Sequence, residues 1–388
     1  MESPLPIESA ERQLWDVIVV GAGPAGAIAA RELARLGKQV LLVDKASLPR
    51  RKVCGGCLNA AGMATLARLG LENLPASVGA QPLDSLSLHC GGKQTAINLT
   101  GNVAVGRDVF DMALAREAVA SGATLFANVE ARPDGDDPDR RWLQLTHAGR
   151  NVRVAARIVI VAAGLNGWRE PGVQEKRRPV RNSRVGAGTI LPFCSSDYEP
   201  GTVYMSVGIG GYVGIVRLGD GRLDIAAAFD KQYLAEAGGP AAAAQKILEQ
   251  ARVPVPGDIS NAAWFGTPAL THRLPHVALP RTFAVGDAAG YVEPFTGEGM
   301  AWAMQAAYEL APLASRAATA YSPSLAAEWE AQHRRLLSRR MLVCGAVGRL
   351  LRHPRLARLA TTVLARAPWL AAPLVRSINR SQTVLQCR

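Results

Sequence analysis

Residues 16–44, DVIVVGAGPAGAIAARELARLGKQVLLVD, restrict the fold more than any other part of the chain. The β-branched run 17–20 suits a strand buried on both faces of a parallel sheet. Gly21, Gly23 and Gly26 then fall in G-x-G-x-x-G spacing ahead of an alanine-rich helix that Gly37 closes. The first glycine permits a tight turn, the second lets a pyrophosphate approach the backbone, and the third lets the helix pack on the strand. Free N–H groups and the helix dipole at that end favour phosphate. A second strand, 39–43, ends at Asp44, about 20 residues past the glycines, where a carboxylate would catch a ribose 2′-hydroxyl. Strand, turn, helix, strand and acid in register predict a dinucleotide site.

A second glycine-rich turn lies far downstream. Residues 282–287, TFAVGD, read as a short strand ending in Gly286-Asp287, and AAGYVEPFTGEGMAWAMQAAYEL then leads through a loop into a helix beginning near Glu298. The opening GAGPAG with its acid, Arg107 in VGRDVFDMAL and GDAAGYVEPFTGEGM together resemble the FAD-binding segments of the p-hydroxybenzoate hydroxylase-like flavoproteins. KVCGG at 52–56 and P-x-T-G-E-G at 294–299 are most similar to the geranylgeranyl reductase family. The resemblance spans most of residues 14–315, in pieces.

It implies an α/β fold: a Rossmann-like FAD-binding domain with an inserted, mainly antiparallel β-sheet substrate domain and a C-terminal helical region. The expected boundaries are 1–80, 107–180 and 271–330 for the FAD-binding domain, 81–106 and 181–270 for the sheet domain, and 331–388 for the Arg-rich helices. FAD contacts are implied for Gly21, Gly23, Ala25, Gly26, Asp44, Lys45, Arg107, Val129, Gly286, Asp287, Gly297, Gly299 and Met300. Arg107 would reach the pyrophosphate or ribityl region, Val129 the adenine, and Asp287 a ribityl hydroxyl. Cys54 and the small Gly55-Gly56 would lie close to the isoalloxazine ring, and Cys54 and Tyr212 are the catalytic candidates. Tyr204 is a second phenol on the expected substrate sheet. Two departures from the family patterns stand out. Ala163-Gly164 replaces the Asp-Gly of the hydroxylases, which points away from their usual NADPH binding. Tyr212-Val-Gly-Ile-Val-Arg217 keeps only the tyrosine of the reductases' Tyr-x-Trp-x-Phe-Pro signature. No Trp-x-Trp occurs, which argues against halogenation.

Composition limits the remaining classes. Of 388 residues, 48% are apolar and 20% charged, so the chain can bury a large core. The first fifteen residues carry acids and no apolar signal core, and no run approaches the roughly 18 uncharged apolar residues of a membrane span. A cytoplasmic location is expected, with a peripheral position at the inner membrane face as the alternative. Six cysteines, Cys54, Cys57, Cys90, Cys194, Cys344 and Cys387, read as reduced thiols. Cys54-Gly-Gly-Cys57 matches a redox dithiol in spacing, but no second ligand pair accompanies it, so no metal is expected. His272 and His276 are separated by four residues, yet Pro275 argues against the helix that would bring them together.

The net charge of +12 is confined to one place. Residues 331–388 hold twelve arginines and no lysine or acid, while the remaining basic and acidic residues balance at 32 each. Leu337, Met341, Cys344 and Leu351 follow helical spacing there, and Leu356, Leu359 and Val363 recur beside Arg355, Arg358 and Arg366 before Trp369. Such a tail suits an anionic membrane surface or an acyl carrier protein, or caps the flavin domain with a solvated face. No nucleic-acid motif accompanies it.

Locally, Asn59 is expected to cap the helix after it, Asp108 to cap the helix opening at Gly106-Arg107, and 150–162 to form two strands, 152–156 and 158–162. Arg50, Arg51 and Lys52 are near the expected phosphates, with two of the three expected in a solvated loop. Flavin carries the hydride and oxygen chemistry itself, so no catalytic triad is expected. The reading is an FAD-dependent oxidoreductase moving hydride between flavin N5 and a C–C or C=C unit of a hydrophobic isoprenoid, lipid or acyl substrate, with NAD(P)H or another external electron donor. An FAD-dependent monooxygenase and a non-catalytic flavin-binding partner of a carrier protein are the alternatives.

Overall fold

The computed structural model describes residues 6–166, 168, 178–180, 182–192, 197–293 and 295–379. Cys194, Pro294 and Cys387 lie outside the described residues. Among the described residues the helices are α1 (Pro24–Arg35), α2 (Ala60–Arg68), α3 (Leu74–Ser77), α4 (Arg107–Ala120), α5 (Lys231–Ala237), α6 (Pro240–Ala251), α7 (Gly299–Thr319), α8 (Pro323–Leu350), α9 (Pro354–Arg366) and α10 (Ala372–Asn379).

The first sheet grows from Leu14–Val20, which pairs in parallel with Val40–Asp44 on one side and Arg150–Val161 on the other. Val17, Ile18 and Val19 are fully buried, as central parallel strands require. Thr124–Ala127 and Thr282–Ala284 extend the sheet in parallel at its two sides. Helix α1 packs against both α4 and α7 to cover one face. Residues 150–162 are not two strands. Arg150–Val161 runs unbroken, antiparallel to Arg141–His147 through its first half and parallel to Leu14–Val20 through its second. Its β-branched, turn-free sequence gives no reason to stop at Arg157.

The second sheet is mainly antiparallel and takes Cys57–Leu58, Gln81–Cys90, Lys93–Ala104, Val185–Leu191, Thr202–Gly208, Gly211–Arg217, Leu223–Phe229 and Phe265–Ala269. Its strands alternate in the way period-two geometry demands. On Gly211–Arg217, Val213 and Ile215 pack into a core with Ile247 and Leu248 of α6, while Tyr212 and Gly214 face a large cavity on the other side.

Three local expectations meet different outcomes. Asn59 accepts a hydrogen bond from the Gly62 N–H at 3.0 Å and caps α2. Asp108 does not cap α4: Gly106 holds that position, and the Asp108 carboxylate, one residue into the helix, pairs with Arg222 at 2.9 Å. The Arg-rich region does not begin a new element at 331, because that point lies inside α8. Ser322 accepts a hydrogen bond from the Ser324 N–H, Pro323 occupies the first turn, and the helix continues for 28 residues. Trp329 anchors it, fully buried and donating its indole N–H to the Ala284 carbonyl at 3.1 Å. Leu337, Cys344 and Leu351 are buried as the spacing suggested. In α9 the buried row is Ala357 and Thr361, whereas Leu356, Leu359 and Val363 face outward. No helix among the described residues is long and apolar enough to cross a membrane.

Candidate functional site

The turn after Leu14–Val20 is fixed by backbone contact. Gly21 adopts φ +107° and donates its N–H to the Val43 carbonyl at 2.7 Å. A Cβ on Gly26 would sit 1.7 Å from the Gly21 oxygen, so only glycine lets α1 approach the strand this closely. Asp44 closes the unit: its two oxygens accept the N–H groups of Ala22 at 2.7 Å and Ala46 at 2.9 Å.

A cluster of charge surrounds this turn. Arg107, at the start of α4, donates through Nε and Nη2 to the two oxygens of Asp111, at 2.7 and 2.9 Å. Asp111 is 0% exposed. The Arg50 guanidinium lies 3.4 Å from Asp44 and 3.5 Å from Asp111, bridging two acids from elements far apart in sequence. Burial pushes the Lys52 amine below its ordinary range, with Arg107 and Arg50 adding to the effect and Asp287 opposing it. Burial likewise pushes the Asp287 carboxyl up, against the pull of Lys52 and Arg107. Thus Arg50, Arg51 and Lys52 all line the cavity, with Arg50 and Lys52 half-buried and only Arg51 exposed, contrary to the expectation of two solvated loop residues. The reason is a demand for counter-charge: Asp44, Asp111 and Asp287 all face this region.

These groups line one cavity of about 1270 Å³. Asp44 and Asp287, 243 positions apart in the chain, stand on its continuous wall. Of the residues named for FAD contact, all but Gly26 line it; Gly26 faces the Gly21 backbone instead. The fit to FAD rests on two observations. Arg50 Nε is buried with no hydrogen-bond partner among the described residues, and the groups nearest the open face of Gly23 are the Arg50 and Arg107 guanidiniums, with Asp111 behind them at 4.0 Å. A helix N-terminus with two guanidiniums is a receptor for phosphate oxygens. Gly297 and Gly299 add no side chains of their own to the wall near α7.

Away from the glycine turn the cavity becomes apolar. Leu86, Leu88 and Met205 of the second sheet form one wall, and Leu351, Leu364 and Leu374 of the C-terminal segment form the opposite one. Between the two halves sit Cys54 and Tyr212. Burial pushes the Cys54 thiol up, with the positive charge of Arg107 pulling the other way. Burial drives Cys57 to about 12, helped by Cys54 and Asp224. Both thiols are therefore protonated at neutral pH, unlike the thiolate of a reactive dithiol. Tyr212 stacks edge-on against Phe295 at 5.1 Å, and its buried hydroxyl has no hydrogen-bond partner among the described residues. Tyr204 points to the opposite face, where its oxygen accepts the Glu199 N–H and its ring meets Tyr198. His272 bonds the Asp287 carbonyl at 3.0 Å, while exposed His276 lies 3.8 Å from Glu330, so the two histidines serve different partners.

Sequence reasoning gave no role to Asp111, Asp224 or the network around Glu293. Asp111 was findable, since it stands four residues after Arg107 on one helix face. Asp224 lies behind the Cys54 loop, with its oxygen 2.8 Å from where a Gly56 Cβ would be, and burial raises its carboxyl to about 8. Glu293 receives Arg184 at 2.9 Å and Arg352 at 2.8 Å, a pairing across three distant segments that no local pattern signals.

Comparison with known proteins agrees with this geometry. An FAD binding domain model matches residues 15–190. The chain is 28% identical to a menaquinone reductase of Mycolicibacterium smegmatis, covering 95% of this chain and 92% of that protein. It is 27% identical to a digeranylgeranylglycerophospholipid reductase of Methanosarcina acetivorans, covering 76% and 74%. Its fold superimposes on a geranylgeranyl bacteriochlorophyll reductase-like protein of Thermoplasma acidophilum with a TM-score of 0.74 at 19% identity, covering 97% and 93%. Flavin-dependent halogenases share the fold at 22% identity or lower. With the glycine turn, the arginine cradle and the single cavity linking Asp44 to Asp287, these matches identify the chain as an FAD-dependent oxidoreductase with an FAD binding domain, similar in sequence to the menaquinone and digeranylgeranylglycerophospholipid reductases.

Proposed function

We propose that this enzyme reduces C=C bonds in the isoprenoid chain of a lipid or quinone. The carrying observation is the union, in one cavity, of a cation-lined glycine turn and an apolar chamber. Bound FAD supplies the hydride chemistry. Arg50 and Arg107 hold its phosphates, positioned in turn by Asp111. The apolar walls around Leu88, Met205 and Leu364 take an extended hydrocarbon and exclude water. Saturating a C=C bond also needs a proton on the second carbon. Cys54 Sγ and Tyr212 Oη, both kept protonated by burial at the junction of the two halves, are the groups that hold it. The names of the reductase relatives support the isoprenoid class.

The test is anaerobic. Holoenzyme is reduced chemically, and a geranylgeranyl lipid dispersed in detergent is added. Recovery of the oxidised flavin spectrum together with a saturated product in the mass spectrum supports the reading. A reduced spectrum that persists until air is admitted, followed by an oxygenated product, selects monooxygenation instead. Protein that takes up no FAD sinks both.

A further inference from the structure

We propose that α9, the turn Pro368–Ala371 and α10 form a docking face for an anionic lipid bilayer, onto which the apolar mouth of the cavity opens. The proposal rests on the lipid-substrate reading above and adds the surface from which that substrate comes.

Helix α9 carries two apolar rows. Ala357, Ala360, Thr361 and Leu364 turn inward and line the cavity. The adjacent row, Leu356, Leu359 and Val363 at i, i+3 and i+7, is exposed, with Leu359 at 60%. The apolar side of the helix is thus wider than the protein beneath it covers. Beyond α9 the exposure continues through Trp369, at 73%, Leu370 and Leu374. Single exposed apolar side chains are ordinary, but six within residues 356–374 form a patch. Arg355, Arg366 and Arg376 flank that patch, all exposed, and no acid occurs from 331 to the end.

Apolar rows beside arginines, with a tryptophan between them, match an interfacial helix resting on anionic headgroups. Leu370, Leu374, Val375 and Ile378 belong both to this segment and to the cavity wall, so a chain leaving the bilayer meets apolar surface along its whole path. An acyl carrier protein would also supply negative charge. Its polar prosthetic arm would need a hydrogen-bonding channel, however, and this mouth is lined by aliphatic side chains.

The experiment uses full-length, FAD-loaded protein and sedimentation with vesicles of phosphatidylcholine alone or with phosphatidylglycerol. Wild type is expected to sediment with the anionic vesicles and far less with the neutral ones. Arg355→Gln with Arg366→Gln lowers partitioning about thirtyfold, each arginine near the surface contributing about 1 kcal/mol. Leu359→Glu with Val363→Glu abolishes sedimentation. Both double variants keep the flavin spectrum and the turnover of a detergent-dispersed substrate. Wild type that stays in solution with anionic vesicles, or glutamate variants that sediment as well as wild type, overturn the proposal. So does selective binding of an acidic acyl carrier protein with no vesicle binding. Loss of turnover in detergent by wild type itself would count against the isoprenoid reading, and vesicle binding would still be judged separately.

Discussion

Asp111→Ala tests whether the arginine cradle is held by the buried acid. The substitution removes three contacts: the paired bonds from Arg107 at 2.7 and 2.9 Å and the approach of Arg50 at 3.5 Å. Breaking a buried ion pair by deleting one partner costs about 3–5 kcal/mol. The lower figure applies here, because the Arg107 and Arg50 side chains keep 11% and 15% of their exposure on the cavity wall. For a chain of this length, about 3 kcal/mol corresponds to a fall in Tm of about 4 °C in the flavin-free protein. Arg107 then loses the acid it pairs with and Arg50 keeps only Asp44, at 3.4 Å, so phosphate oxygens become the best available counter-charge for Arg107. FAD should therefore raise the Tm of the variant by more than it raises that of wild type, provided both are measured at saturation. Differential scanning fluorimetry of apo and FAD-loaded forms reads both quantities. An unchanged apo Tm would refute the role given to Asp111. A lower Tm with an equal or smaller gain from FAD would refute the claim that Arg50 and Arg107 serve phosphate.

Other predictions follow from the same geometry. Gly26→Ala should yield protein without bound flavin and with reduced stability, because the new methyl overlaps the Gly21 oxygen; Gly23→Ala, whose methyl meets Arg50 at an ordinary 3.4 Å, should fold but bind FAD at least tenfold more weakly in a fluorescence titration. The Asp224 carboxyl is raised in the fold from an ordinary 3.8 to about 8, so its contribution to stability is full below the unfolded value and is lost as pH rises through about 8. Asp224→Asn should accordingly show a Tm that exceeds wild type at pH 9 and loses that advantage near pH 5. Arg352, at the start of the α9 roof, donates to the Asn182 carbonyl, Asp230 and Glu293, and Arg352→Ala should speed hydrogen exchange across residues 354–379 while flavin content holds.

The parts of this protein legible in sequence are those whose determinants lie within a few residues of one another. Gly21, Gly23 and Gly26 announce the turn because each is needed by a neighbour on the same unit, and Asp44 is visible because strand length fixes its distance from them. The alternation 212–215 likewise separates Tyr212, on the cavity, from Val213, in the core, although which side holds the cavity is settled only by the position of α6. Arg50 could not be singled out from Arg51 and Lys52: the loop reads as uniformly polar and basic, and its partners Asp44 and Asp111 meet only after the first sheet and α4 have packed together. The same holds for Glu293, whose two arginines come from 109 residues before and 59 after.

The α9 face shows a different kind of limit. Both of its rows are apolar, so periodicity reveals an amphipathic helix without revealing which row meets the protein. Hydrophobicity favours Leu356, Leu359 and Val363 as the inner face, yet Ala357 and Thr361 are inside. Close packing supplies the reason. Helix α9 lies against the hairpin of Gln81–Cys90 and Lys93–Ala104, and Arg358 crosses the turn at Gly91 with its side chain 3.2 Å from where a Cβ would stand. Small residues allow that approach at Ala357 and Thr361, where a leucine would lift the helix off the sheet, whereas Leu364, one turn further on, lines the cavity. The larger apolar row is then left outside, beside arginines. A segment that seats Ala357 and Thr361 on its own fold and leaves Leu356, Leu359, Val363 and Trp369 outside has those side chains in the wrong place for water and in the right place for a bilayer, which is why the orientation of α9 argues for lipid docking more strongly than its composition does.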